Sequence, residues 1–179
     1  MAKFYDTLTP LIKEFISQQK VFFVATAAKE GRINLSPKGM DTVRVLDDNR
    51  IMWLNLTGSG NETAAHLLQE NRITIMMCSF TEKPLILRLY GSAKVYHPSD
   101  SEWGNYIDQF PALAGSRQLF DMKIESVQTS CGWAVPFMEF AGERTQLVES
   151  SEKKGQEMTK VYWKEKNSIS IDGFPTGIL

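Results

Sequence analysis

A glycine-rich turn at residues 55–63 has the composition best suited to binding a ligand. It reads Asn-Leu-Thr-Gly-Ser-Gly-Asn-Glu-Thr, follows an apolar strand and opens a helix. Free backbone N–H groups in a first helical turn, together with the positive end of the helix dipole, can hold a phosphate or carboxylate. The same residue types also form ordinary loops between strands and helices. The turn alone therefore leaves two interpretations open, a phosphate site and a structural loop.

Other catalytic chemistry has little support in the sequence. The chain contains only Cys78 and Cys131 as cysteines and only His66 and His97 as histidines, and none of them has metal-binding spacing. We therefore predict no metal site and no Cys-His catalytic pair, and no residue is identified as a catalytic acid or base. Both cysteines are expected to be reduced and buried, and His66 is expected to face solvent.

Size and charge exclude several classes of function. The 179 residues fit one domain, 1–179, and 42% hydrophobic with 23% charged residues is a globular composition. A net charge of −1 with scattered basic residues argues against a nucleic-acid partner. No segment approaches the roughly 20 apolar residues of a membrane span, and residues 1–20 lack the apolar block of a signal peptide. We expect a cytoplasmic protein without a membrane partner.

Short strands joined by tight polar turns dominate the pattern. About seven strands and helices at the start, middle and end predict a mainly β, α+β fold with flanking helices, in a small closed or split barrel. The barrel is expected to span approximately 20–140, followed by a C-terminal helix and tail at 143–179. Strands are expected at 21–27, 33–36, 42–46, 51–55, 73–78, 85–96 and 123–129, with a further candidate at 137–140, and Gly91 predicts a bulge or bend in the strand at 85–96. Helices are expected after Thr9-Pro10, from Asn61 to about Asn71, after Ser99-Asp100 and from 143 to 166.

Two sets of motifs carry a family resemblance. The first contains Phe22-Phe23-Val24-Ala25-Thr26-Ala27, Ile33-Asn34-Leu35-Ser36-Pro37-Lys38-Gly39, Trp53-Leu54-Asn55 and the glycine turn into Asn61-Glu62-Thr63. The second contains Ser130-Cys131-Gly132-Trp133-Ala134-Val135-Pro136, Gly142-Glu143-Arg144, Lys153-Lys154-Gly155 and Ser170-Ile171-Asp172-Gly173-Phe174-Pro175-Thr176-Gly177. In order and spacing, the first set resembles the flavin-binding half of the FMN-binding split barrels related to pyridoxamine 5′-phosphate oxidase. The second set resembles the tail of a largely uncharacterised branch of that family.

The resemblance implies a six-stranded antiparallel split β-barrel that forms a homodimer, with a flavin site at the subunit interface. It also implies an FMN-dependent oxidoreductase that acts on a small molecule not identified by the sequence. Trp133 would contact the flavin ring, although a lone tryptophan also suits a core or dimer contact. The implied cofactor-binding residues are Asn34, Ser36, Lys38, Leu54, Asn55, Ser59, Gly60, Asn61, Thr63 and Trp133.

Three departures from the oxidases keep a second function open. Where the oxidases hold the phosphate with an Arg-Lys pair at the helix start, this turn reads Gly60-Asn61-Glu62. Ile86 stands where the family often has a glutamine that touches the flavin ring, and the tail lacks the arginine and histidine signature for a pyridoxal substrate. The alternative function is a non-enzymatic binding or sensor protein for flavin, haem or the deazaflavin F420.

Overall fold

A computed structural model describes residues 2–178, which form one antiparallel sheet with helices packed against it. Buried and partly exposed residues alternate along strands such as 22–26 and 73–78, because successive side chains point to opposite faces of a sheet. The strands are β1 (Lys3–Tyr5), β2 (Phe22–Thr26), β3 (Asn34–Lys38), β4 (Val43–Val45), β5 (Arg50–Leu56), β6 (Ile73–Cys78), β7 (Ile86–Tyr96) and β8 (Ser116–Ser130). The helices are α1 (Pro10–Gln18), α2 (Glu62–Gln69), α3 (Trp103–Tyr106) and α4 (Gln146–Tyr162), with a 3₁₀ turn at Ile107–Gln109 and a π-helical turn at Trp163–Asn167.

The strand order β3-β2-β6-β7-β8-β5-β4 places the two longest strands, β7 and β8, at the centre. Strand β8 pairs with β5 through its first half and with β1 through its last residues, while β7 runs along its other side. The register of β7 and β8 shifts between Tyr90 and Gly91. This bulge confirms the bend predicted at Gly91, and bulges increase the twist that curls a sheet toward a barrel.

Strand β5 is buried on both faces and separates two hydrophobic clusters. Ile51 and Trp53 belong to the main core on the inner face, where Trp53 stacks on Phe120 with 4.5 Å between ring centroids. Met52 and Leu54 belong to a smaller cluster on the opposite face, which the α3 region covers. The period of two along the strand thus supplies both clusters from one segment.

Helix α1 follows its sequence signal closely, whereas α4 departs from its predicted bounds. The Thr9 hydroxyl accepts a hydrogen bond from the Ile12 amide at 3.3 Å, and Pro10 is the first helical residue of α1, as predicted. Helix α4 begins at Gln146 rather than near residue 143, and it breaks at Gly155, whose φ of 72° is left-handed. Among residues 2–178, no helix combines the length and hydropathy that crossing a membrane would require.

Three predicted details of the sheet are wrong. The described residues form eight strands rather than six, since β1 adds to the end of β8 and short strands lie at both edges. Strand β8 begins at Ser116 rather than at residue 123, because its charged residues interrupt the apolar pattern while the backbone pairing continues. Residues 137–140 form no strand; the Met138 amide makes a single hydrogen bond to the Phe80 carbonyl instead of a ladder.

Candidate functional site

The inner face of β3 carries three of the predicted site residues, Asn34, Ser36 and Lys38. Each lies opposite a buried residue of β2, and directly paired residues of antiparallel strands point to the same face. Pro37 points outward between two of them, as expected for a proline on an edge strand. The three polar side chains therefore follow one another along the mouth of the half-barrel.

A chain of hydrogen bonds joins β3 to helix α2. The Asn34 side-chain amide donates to the Thr26 hydroxyl at 3.2 Å and to the Thr63 hydroxyl at 3.1 Å. The Thr26 hydroxyl also lies 3.1 Å from His66 Nδ1, while His66 Nε2 is buried without a partner in residues 2–178. The prediction that His66 faces solvent is wrong, because α2 packs this side against β2 and leaves the residue 1% exposed.

The glycine turn has free donors. Within the described residues, none of the backbone N–H groups from 58 to 63 donates a hydrogen bond, and the Asn61 side chain does not cap α2. Gly58 and Ser59 are exposed, and Gly60 is half-buried. The Glu62 carboxylate accepts instead from the Ile171 amide of the C-terminal segment, at 3.1 and 3.2 Å. The turn thus has the unpaired donors from which anion sites are built.

Arg117, at the start of β8, brings a guanidinium group to this turn. Its side chain is 3% exposed, and Nη1 donates to the Gly60 carbonyl at 3.0 Å and to Asn167 Oδ1 at 2.7 Å. Its Nε is buried without an acceptor in the described part of the chain. No ion pair of residues 2–178 includes Arg117. Burial lowers the pKa of the Arg117 guanidinium well below its usual value, to about 10.

Lys38, at the end of β3, is a second cation of the predicted site. Burial, and then the Arg117 charge, lower the pKa of the Lys38 ammonium from 10.5 to about 8. Lys38, like Arg117, forms no ion pair within residues 2–178. Cations removed from water without a counter-ion are unfavourable, and a bound anion would relieve that cost.

The remaining predicted residues have different surroundings. Leu54 packs in the second hydrophobic cluster, so only its backbone could face a ligand. Asn55 is buried and donates to the Gln118 side-chain oxygen at 3.3 Å, while Gln118 Nε2 stays without a partner in the described residues. Trp133 follows β8 and is 84% exposed. Cys78 is buried, as expected, but the prediction of burial is wrong for Cys131, which lies exposed after the end of β8.

Sequence reasoning missed Arg117 and Asn167, the residues that complete this arrangement. Arg117 lies before the predicted strand at 123–129, in a stretch for which the sequence predicts no strand. The apolar residues Leu119, Phe120 and Met122 that follow it were the available signal for extending that strand. Asn167 is separated from the turn by more than 100 residues, and no local pattern distinguishes it from a surface asparagine.

The curled antiparallel sheet with flanking helices defines the class of the protein, a split barrel. Its fold is similar to that of HupZ from Group A Streptococcus, with a TM-score of 0.57 and 19% identity over 69% of this chain and 99% of that one. A pyridoxamine 5′-phosphate oxidase candidate from Lactobacillus delbrueckii has a TM-score of 0.55 and 18% identity, covering 69% of this chain and 94% of that one. The predicted split-barrel fold is confirmed.

The sequence identifies the family of the chain within the split-barrel fold. The family model of pyridoxamine 5′-phosphate oxidase matches residues 8–131, and the chain belongs to this family. A curated relative, the pyridoxamine 5′-phosphate oxidase family protein ustO of Aspergillus flavus, is 35% identical over 144 residues, which are 78% of this chain. The chain spans 58% of the length of that relative.

Proposed function

We propose that this protein binds FMN through its phosphate and uses the flavin as an oxidoreductase acting on a small molecule. One observation carries the proposal: the buried Arg117 guanidinium bonds to the glycine turn and, like the Lys38 ammonium of β3, pairs with no carboxylate in residues 2–178. A phosphate monoester carries about two negative charges at neutral pH, so it matches two cations without excess charge. Family membership favours the flavin among phosphorylated ligands.

The donors of this site fit a phosphate group. The Arg117 guanidinium and the Lys38 ammonium would supply charge-assisted hydrogen bonds. The free amides of residues 58–63 would supply uncharged donors at the start of α2. Asn34, Ser36 and Thr63 line the adjacent inner face, and the Ser36 hydroxyl has no partner in the described residues. These polar groups are suited to the ribityl chain.

A homodimer with the flavin at the subunit interface is part of the proposal. Trp133 and Phe137 are 84% and 77% exposed, and Phe4 and Leu35 also present large apolar side chains to solvent. Large exposed apolar areas mark interaction surfaces. A second copy covering Trp133 would bring an aromatic ring to the flavin. We also propose that the barrel and the tail form a single domain, because Asn167 and Ile171 bond directly to the barrel.

The reaction itself needs few protein groups. A bound flavin supplies the transfer of hydride or electrons, whereas the protein binds the flavin, orients it and controls access to it. The described site offers no activated nucleophile, and flavin chemistry does not require one. The hydrogen-bonded chain from Asn34 through Thr26 to His66 would fix the side chains that border the ribityl group.

The binding step is tested by calorimetric titration of the purified protein with FMN and with riboflavin, which lacks the phosphate. We expect FMN to bind much more tightly than riboflavin. Arg117→Gln removes one charged donor and should weaken FMN binding by about 1.5–3 kcal/mol, roughly ten- to a hundredfold. Arg72→Gln, at an exposed arginine on the loop after α2, is the matched control and should change nothing. Equal affinities for FMN and riboflavin in the unchanged protein would refute the phosphate site.

The oxidoreductase step is tested separately. The FMN-loaded protein is mixed with NADH or NADPH without oxygen, and absorbance near 450 nm is followed. Bleaching at a rate that supports turnover is the expected result. Tight FMN binding without reduction by either donor would instead favour the non-enzymatic binding function. Haem and F420 are titrated into the same protein, and a preference for either over FMN would contradict the cofactor assignment.

A further inference from the structure

Asn167 is a fully buried amide in the π-helical turn that follows α4. It is 0% exposed and lies beyond residues 8–131, the part of the chain that matches the family model. A buried primary amide must find partners for its oxygen and its NH₂ group, since an unpaired polar group in the interior is costly. The hydrogen-bond partners of Asn167 therefore indicate its role.

Both side-chain partners of Asn167 belong to the proposed phosphate site. Its Oδ1 accepts from Arg117 Nη1 at 2.7 Å, and its Nδ2 donates to the Gly58 carbonyl at 3.1 Å. One amide thus joins the guanidinium group to the glycine turn. Its backbone carbonyl accepts from the Asn61 side chain at 3.2 Å and from the Thr176 hydroxyl at 2.6 Å.

The neutral side-chain amide of Asn167 can orient the Arg117 guanidinium without cancelling its positive charge. A carboxylate at this position would form an ion pair with Arg117 and cancel the charge that an incoming anion needs. An apolar residue would leave Nη1 with the Gly60 carbonyl as its remaining acceptor. The neutral oxygen of Asn167 fixes the guanidinium orientation, and the Arg117 Nε stays without an acceptor in the described residues.

Other contacts fasten the same C-terminal segment to the same turn. The Trp163 indole N–H donates to the Thr57 hydroxyl at 2.8 Å, and the Ile171 amide donates to the Glu62 carboxylate. Thr57, Gly58 and Glu62 span the whole glycine turn. The segment that follows the barrel is therefore bonded along the turn, and Asn167, in this segment, also hydrogen-bonds to Arg117.

We propose that Asn167 is a positioning residue of the phosphate site. It orients Arg117 and the glycine turn together, and the C-terminal segment beyond residue 131 is thereby part of the cofactor site. The inference rests on the proposed function, because it assumes that Arg117 and the turn meet a phosphate. It adds that discrimination for the phosphate depends on an amide outside the matched family region.

The test compares affinities for FMN and riboflavin in Asn167→Ala, Asn167→Asp and the unchanged protein, by calorimetry at pH 7. Loss of the Arg117 contact should lower the FMN-to-riboflavin affinity ratio at least about tenfold in Asn167→Ala, with riboflavin affinity unchanged. Asn167→Asp keeps the size of the side chain and the oxygen facing Arg117, but it adds a negative charge. Its ratio should fall further than that of Asn167→Ala.

A general loss of packing would act differently. Asn71→Ala removes the hydrogen bond from the Ala93 amide to the Asn71 side chain, at the other end of α2, and serves as the matched control. It should lower the melting temperature without changing the ratio. If Asn167→Ala does not fold, the isosteric Asn167→Asp carries the test. A wild-type ratio retained in Asn167→Asp would overturn the positioning role, whereas a ratio near one in the unchanged protein would overturn the phosphate site itself.

Discussion

The buried charge of Lys38 should destabilise the ligand-free protein relative to a variant that lacks this lysine. Lowering the pKa from 10.5 to about 8 corresponds to about 3 kcal/mol of unfavourable free energy in the folded state. Because the folded-state pKa lies below the unfolded value, the cost is fully present below about pH 8. It disappears as the pH rises toward 10.5, where the unfolded lysine also loses its proton.

Lys38→Met removes the charge and keeps a side chain of similar length. The variant should be more stable than the unchanged apo-protein by as much as about 3 kcal/mol at pH 7 and by about 1 kcal/mol at pH 10. FMN affinity should change in the opposite direction, because the variant lacks one charged donor to the phosphate. A stabilising substitution that weakens binding is typical of functional sites.

Urea denaturation of the apo-proteins, followed by tryptophan fluorescence at both pH values, measures the difference. Lys94→Met, at an exposed position of β7, is the control and should shift stability by no more than about 0.5 kcal/mol at either pH. A Lys38→Met variant that is less stable than the unchanged protein at pH 7 would refute the reasoning. So would a difference that does not shrink between pH 7 and pH 10.

Three further changes test the fold. Gly91→Ala would place a Cβ 2.0 Å from the Lys123 carbonyl oxygen and should cost about 3 kcal/mol or more, whereas Gly104→Ala meets nothing within 4 Å and should be neutral, as thermal melts would show. Phe120→Ala removes a fully buried ring that stacks on a tryptophan and should cost about 3–5 kcal/mol in urea titrations. Thr9→Ala removes the cap of α1 and should cost about 1 kcal/mol, measured by the same titration.

Local signals in the sequence predicted the elements well where one short segment decides the structure. The polar turn before Arg50 predicted the β4–β5 hairpin, and Thr9-Pro10 predicted the start of α1. Gly91 predicted the bulge in β7. Each of these features depends on backbone preferences within a few residues, so the sequence around it contains the relevant information.

Side-chain environments were harder to predict because they depend on distant partners. His66 is on a helix that the sequence predicted, yet its environment depends on Thr26 of β2, which is 40 residues away. Arg117 has the ordinary sequence signature of a surface residue, since arginine is rarely buried. Its burial follows from the C-terminal segment, which contacts it through Asn167, 50 residues later. The periodicity of a helix or a strand does not indicate such a long-range contact.

Under the proposed function, the missing Arg-Lys pair at the start of α2 is compensated from elsewhere in the fold. The turn itself contributes uncharged donors and an acidic residue, Glu62, whose carboxylate is bonded to the Ile171 amide. The positive charge comes from β3 and β8 through Lys38 and Arg117. Cations on separate strands must be held in place by long-range contacts, whereas a basic pair on one helix is positioned by the helix itself. Arg117 therefore depends on Asn167 because this chain places its positive charges on β3 and β8. In a variant with the basic pair restored by Asn61→Arg and Glu62→Lys, the Asn167→Ala substitution should lower FMN affinity less than it does in the unchanged protein.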